Sequence, residues 1–218
     1  MGTADPITRF RDLIAYAGLK YITLTHNRNN LFTESATDVP FDSIHGITNL
    51  GYKLIQIACD EKVIIDVSHS SDRVVVEAVD NTRFGSVWAT HSGARSILNN
   101  PRNLSDDLIL KITDNGGLVG IPFARRFVDT LDGVCQHINH VCQLIGNDKH
   151  VAIGSDIDGA MIVKGLKTID KWSKVGERLS EHYNYSDEAI ERIMGGNVSE
   201  EFSKYTRSDH IKRFNIIA

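Results

Sequence analysis

The feature that most constrains the fold is a recurring one. Short runs of β-branched and apolar residues recur along the chain, four of the five ending in a polar side chain, and helix-length segments separate them. The runs are Lys20–Thr25 (KYITLT), Val63–Ser68 (VIIDVS), Ser86–Thr90 (SVWAT), Leu118–Pro122 (LVGIP) and Val151–Ser155 (VAIGS). Flanking Gly, Asp and Asn residues and the Ile/Val content favour strands over pieces of buried helix. Near-continuous apolar strands alternating with helices argue for a parallel sheet covered by helices. That leaves an open doubly wound sheet or a (β/α)8 barrel.

The intervening segments carry helix signals. Ser105 is a good N-cap for a helix presenting Leu108, Ile109 and Ile112, with Asp106 and Asp107 in its first turn and Gly116-Gly117 as its stop. Asp132–Ile145 places Val134, Ile138, Val141 and Ile145 at helical spacing and ends at Gly146. Ser186–Met194 repeats the pattern, with Gly195-Gly196 as the expected stop. Arg9–Gly18, Gly46–Asp60 and Lys171–Tyr183 are further helix candidates. No repeat, linker or low-complexity stretch interrupts the chain, so residues 1–218 read as one continuous domain.

Composition narrows the function classes. With 218 residues, 41% hydrophobic and 24% charged, the chain is neither a disordered polymer nor a fibre. A net charge of −4 without a Lys/Arg run argues against nucleic acid or an anionic membrane as main partner. Cys59, Cys135 and Cys142 are too few for a disulfide framework and read as buried thiols. The N-terminus has no apolar signal core and no run approaches the length of a membrane span, so a cytoplasmic location is expected. Two glycosylation sequons, at Asn103 and Asn197, read as chance. Neither a G-x-G-x-x-G nor a P-loop motif is present.

The chemistry sits where the runs stop. KYITLT runs into His26, VIIDVS into His69, SVWAT into His91 and VAIGS into Asp156. In a parallel barrel the C-terminal edge of the strands is where active sites are built. Neutral imidazoles suit zinc, and a carboxylate can take a proton from an activated water. A strand-end histidine taken alone is more often a satisfied hydrogen bonder, but three in succession out of nine are harder to dismiss. His137 and His140, on an apolar helix, read better as solvated or capping groups. Arg102 lies in the Asn100-Pro101-Arg102-Asn103 loop beyond the His91 strand, where its planar fork suits a carboxylate. Alone it would read as a surface salt bridge, and Asp156-Ile157-Asp158-Gly159 alone as a turn.

YITLTHNRNN, IIDVSHSSD, THSGAR with NPRNLSDD, NGGLVGIPF, VAIGSDIDGA and the late GGN, in this order from about residue 11 to about residue 205, resemble the membrane dipeptidase family (renal dipeptidase-like, peptidase family M19). The resemblance implies a (β/α)8 TIM-type barrel with a binuclear zinc site, hydrolysing dipeptides that carry a free C-terminal carboxylate. It implies His69 and His91 as zinc-binding histidines, and His26 as a residue that contacts substrate and helps hold the tetrahedral intermediate. It further implies Arg102 as the carboxylate-binding arginine and Asp156 as the acid/base. Two metals would activate water and polarise the scissile carbonyl.

The chain departs from that pattern at its start. The family's first strand carries His-x-Asp and a second ends in a metal-bridging glutamate, yet no histidine here has Asp two residues on and no glutamate precedes Glu34. The expectation is a barrel lacking its first two strands and part of its metal site, with open edges that invite association with another copy or chain. A fragment of an active enzyme, a chain completed by a partner, and a non-catalytic binding protein all stay open.

Overall fold

The computed structural model describes residues 5–38 and 46–206. Helix α1 (Pro6–Ala17) leads into strand β1 (Tyr21–Thr23). Then follow α2 (Asn49–Asp60), β2 (Ile64–Asp66), α3 (Asp72–Asp80), β3 (Val87–Trp88), α4 (Asp106–Asp114) and β4 (Val119–Ile121). After a short α5 (Arg125–Val128) come α6 (Leu131–Ile145), β5 (Val151–Ile153), α7 (Ser173–Tyr183), α8 (Asp187–Glu191) and α9 (Asn197–Thr206).

All strand pairings are parallel. β1 pairs with β2 and β2 with β3, and β4 pairs with β5. A parallel bridge between Ala89 and Val119 joins the two halves, so the spatial order follows the chain. This is the strand–helix alternation of a (β/α)8 barrel. The described residues supply five parallel strands, three short of eight, where the motif reading placed the shortfall at two. β1 and β5 are the outermost of these strands.

Local chemistry sets the helix starts. Thr48, Ser71, Ser105, Thr130 and Ser186 each accept a backbone N–H three residues on, at Gly51, Val74, Leu108, Gly133 and Ala189. Each such cap contributes about 1 kcal/mol. Gly18 and Gly146 close α1 and α6 in the left-handed conformation, which a glycine adopts without steric cost. One expected stop does not hold: at Gly195-Gly196 the backbone runs through a π-type turn, Arg192–Gly196, and continues into α9. Gly195 absorbs the kink with a non-helical φ of 169°.

Strand alternation divides the side chains between two faces. Ile65, Val87, Val119 and Val151 join the main hydrophobic cluster with the helices. Ile64, Trp88 and Leu118 point the other way and pack with Val198, Phe202 and Tyr205 of α9. The Trp88 ring lies 6.4 Å from Phe202 and 6.3 Å from Tyr205, and Tyr205 Oη donates to the Gly85 carbonyl at 2.8 Å. In a closed barrel that inner face is filled by opposing strands; here α9 covers part of it. The three cysteines are buried and unpaired, as expected. Asn103 and Asn197, the sequon residues, are buried with inward hydrogen bonds. Among the described residues no helix is long and apolar enough to cross a membrane.

Candidate metal and substrate site

His26, His69, His91 and Asp156 each lie three residues beyond the end of their strand, so the parallel sheet delivers them to one edge. All four line a cavity of about 550 Å³, with Thr23, Thr25, Asn27, Ala124 and Phe127 among its walls. His69 Nε2 and His91 Nε2 are 2.9 Å apart. The His26 ring is tilted against that of His69 with centroids 4.3 Å apart. His69 and Asp156 adopt φ of 70° and 54°, a region that non-glycine residues rarely occupy. Lys62, Asp129 and Asn184 share the positive φ outside the cavity.

Burial shapes the protonation states. His69 is 7% exposed, and burial together with the positive charges of Arg102, His91 and His26 pushes its pKa down to about 3. Burial also holds His91 below the usual imidazole range, and Arg102 and His26 add to this, while Asp66 and Asp156 pull the other way. Both rings are neutral at pH 7, the form that a metal requires. Their 2.9 Å separation is less than twice the usual zinc–nitrogen length of about 2.0–2.1 Å, so one ion can touch both. Neutrality and convergence fit a metal, with these two histidines as its holders. Among the described residues no cluster of three or more His, Cys, Asp or Glu forms a fuller donor set.

Arg102 is a buried cation and not a surface ion pair: it is 4% exposed. Its guanidinium lies 5.1 Å from the centre of the Phe127 ring. Burial lowers its pKa to about 10, and Asp66 and Asp156 oppose that shift. Its Nε and Nη2 atoms are buried without a hydrogen-bond partner among the described residues. The surrounding loop is stapled down. Asn100 Nδ2 donates to the Arg126 carbonyl at 3.2 Å, Asn103 Nδ2 donates to the Phe127 carbonyl at 3.0 Å, and Asn103 Oδ1 accepts from Gly93 N at 3.0 Å. A fixed cation with unfilled donors is built to receive an anion.

The sequence reading did not single out Asp66, Thr90, Asn27 or Phe127. Asp66 is fully buried and accepts four hydrogen bonds beneath the histidines. A charged residue inside an otherwise apolar strand was the available signal, because such a group must find partners. His137 corrects an expectation. It is fully buried, not solvated, and its Nδ1 accepts the Ala94 N–H at 2.8 Å. His140 faces Asp106 at 2.8 Å. His45 and His210 lie outside the described residues.

Three strand-end histidines and a carboxylate thus share one edge of a barrel-type parallel sheet. The family model of the membrane dipeptidases (peptidase family M19) matches residues 7–208, and the chain belongs to that family. It is 32% identical to dipeptidase tcpJ of Claviceps purpurea over 189 residues, covering 83% of this chain and 43% of that protein. It is 28% identical to an uncharacterized dipeptidase of Schizosaccharomyces pombe, covering 90% of this chain and 48% of that one. The chain thus spans about half the length of these relatives. A crystal structure of a metallo peptidase from Rhodobacter sphaeroides, liganded with a phosphinate mimic of the dipeptide L-Ala-D-Ala, superposes with a TM-score of 0.80. That match has 23% identity and covers 92% of this chain and 59% of the other.

Proposed function

We propose that this chain carries the substrate-binding part and two metal-binding histidines of a zinc-dependent dipeptidase. The observation that carries the reading is the convergence of His26, His69, His91 and Asp156 on one cavity beside a buried arginine with unfilled donors. In this reading Arg102 Nε and Nη2 grip the C-terminal carboxylate of a dipeptide, and the Phe127 ring holds the guanidinium from below. His26 contacts the scissile carbonyl oxygen as negative charge develops there. Asp156 takes a proton from the attacking water and returns it to the leaving amine nitrogen. His69 and His91 hold the metal, which when bound supplies an activated water and polarises the carbonyl. Catalytic zinc ordinarily has three protein ligands, so further donors have to come from outside the described residues or from another chain. The outer edges of β1 and β5, which pair with no further strand among the described residues, are where a second chain or copy would add.

The test pairs zinc content by mass spectrometry with amino-acid release from a panel of dipeptides and their C-terminal amides. Little turnover by the 218-residue chain alone, and preference for free carboxylates once the site is complete, is the expected result. Tight binding of two zinc ions with robust turnover by this chain alone would overturn the incomplete site. Equal use of dipeptide amides would overturn the role of Arg102. The unfilled donors of Arg102 also support a second reading, a non-catalytic protein that binds a peptide carboxylate. Saturable dipeptide binding without hydrolysis, even with zinc supplied and a completing partner present, would select it.

A further inference from the structure

Four donors converge on the Asp66 carboxylate. Oδ2 accepts from the hydroxyls of Thr23 and Thr90, both at 2.8 Å. Oδ1 accepts from the backbone N–H groups of Ser68 at 2.9 Å and Thr90 at 3.0 Å. A carboxylate is acceptor-only with about four lone-pair sites, and here each oxygen is faced by two donors. Thr90 Oγ1 also lies 3.3 Å from Ser68 Oγ, a hydroxyl that can itself donate, whereas Asp66 Oδ2 at 2.8 Å can only accept, so the single Thr90 hydroxyl proton goes to Asp66. Its oxygen meets His91 Nδ1 at 2.8 Å and can act there only as acceptor, so His91 Nδ1 bears the hydrogen. The same counting applies to His69, whose Nδ1 lies 3.1 Å from Asn27 Oδ1, an atom that only accepts.

A neutral imidazole has one N–H. With both Nδ1 atoms protonated, the two Nε2 atoms are bare lone pairs facing each other at 2.9 Å. Lone pairs at that distance repel, and an electron-pair acceptor between them turns repulsion into attraction. We infer that Asp66 and Thr90 for His91, and Asn27 for His69, are positioning residues that lock both rings as Nδ1–H tautomers and so present two Nε2 lone pairs to one cation. The competing arrangement is a plain His69–His91 hydrogen bond with a proton on one Nε2. It needs the Asn27 amide turned to face His69 with its NH₂ group, or the Asp66–Thr90 proton order reversed.

This inference rests on the proposed metal role of the two histidines, and its test separates the two. Long-range ¹H–¹⁵N correlation on the metal-free, full-length chain reads each histidine tautomer without any activity. Protonated Nδ1 and bare Nε2 on both rings is the expected result; a protonated Nε2 on either ring overturns the locking. Thr90→Val should mix the His91 tautomers and leave His69 unchanged, Asn27→Ala should do the reverse, and Thr90→Ser should restore the parent pattern. Each disruptive variant should weaken cobalt(II) binding, read by its visible absorption, by roughly tenfold to a hundredfold. If Thr90→Val does not fold, the parent spectrum and Asn27→Ala still decide. Expected tautomers with no cobalt binding would overturn the metal role of the pair and leave the locking in place.

Discussion

At His69 and His91 both Nδ1 atoms meet a protein partner within 3.1 Å, whereas Arg102, in the loop that follows His91, buries Nε and Nη2 without one among the described residues. Both regions are desolvated, and both hold groups that water would otherwise satisfy. The histidines are prepared from within: their partners orient them before any ligand arrives. Arg102 is prepared for something from outside, because a buried cation with unfilled donors is costly until an anion completes it. The two rings are already oriented by protein partners while the guanidinium still lacks one, and in the proposed reading that difference separates metal binding from substrate capture.

The sharpest way to break the comparison is to remove each side in turn. His69→Ala or His91→Ala is expected to abolish zinc retention at concentrations where the parent holds it, as measured after dialysis. Arg102→Ala should leave zinc content unchanged, and equal zinc loss in all three variants would erase the distinction. Asp156→Asn should keep zinc and lower dipeptide turnover by about 10²–10⁴-fold in a completed enzyme, the usual weight of a general acid–base group. Arg102→Ala should weaken capture of a carboxylate ligand by about 2–5 kcal/mol, read by calorimetry. Arg102→Met should leave the ligand-free chain as stable or more stable, because it removes unsatisfied donors.

His137 lies between the two regions in kind. Its Nδ1 is partnered by Ala94 N–H, but its buried Nε2 has no partner among the described residues. Burial, helped by the positive charge of His140, lowers its pKa to about 4. A histidine depressed in the folded state binds its proton more readily when unfolded, so stability is fully present above about pH 6.5. It is lost as the pH falls toward 4, by about 3 kcal/mol in total. Urea midpoints at pH 7 and pH 4.5 measure this, and a His137→Gln variant should show a flatter profile. The smallest effect is steric. A Cβ at Gly154 would collide with the Thr90 carbonyl oxygen, so Gly154→Ala should cost about 1–3 kcal/mol and disturb His91 through Thr90.

The sheet was legible because buried parallel strands are written as apolar runs, and the chemistry because four of the five runs stop at a histidine or aspartate that does not belong in a core. VAIGS followed by Asp156 is the plainest instance. Helix α3 escaped notice although Ser71 caps it and Val74, Val75 and Ala78 are buried, because its polar first turn directly follows His69. Helix α9 was hidden by Gly195-Gly196, which reads as a stop and serves as a kink. Asp66 and Asn27 were not legible as site residues. Their roles depend on which strands pair, and Thr23, Asp66 and Thr90 come from three different strands or strand ends far apart in the chain.

The left-handed backbone at His69 and Asp156 bears on how such a chain evolves. Holding a non-glycine residue there costs of order 1–3 kcal/mol, and glycine or asparagine would relieve much of it. For a lineage released from selection on this cavity, these two positions join Lys62 and Asp129, which share the positive φ elsewhere among the described residues, as places open to stabilising change. Asp156→Asn is correspondingly expected to fold at least as well as the parent. Under the proposed roles, a histidine and an aspartate standing where folding alone would choose otherwise mark two places in this cavity where selection for stability and selection for chemistry pull in opposite directions.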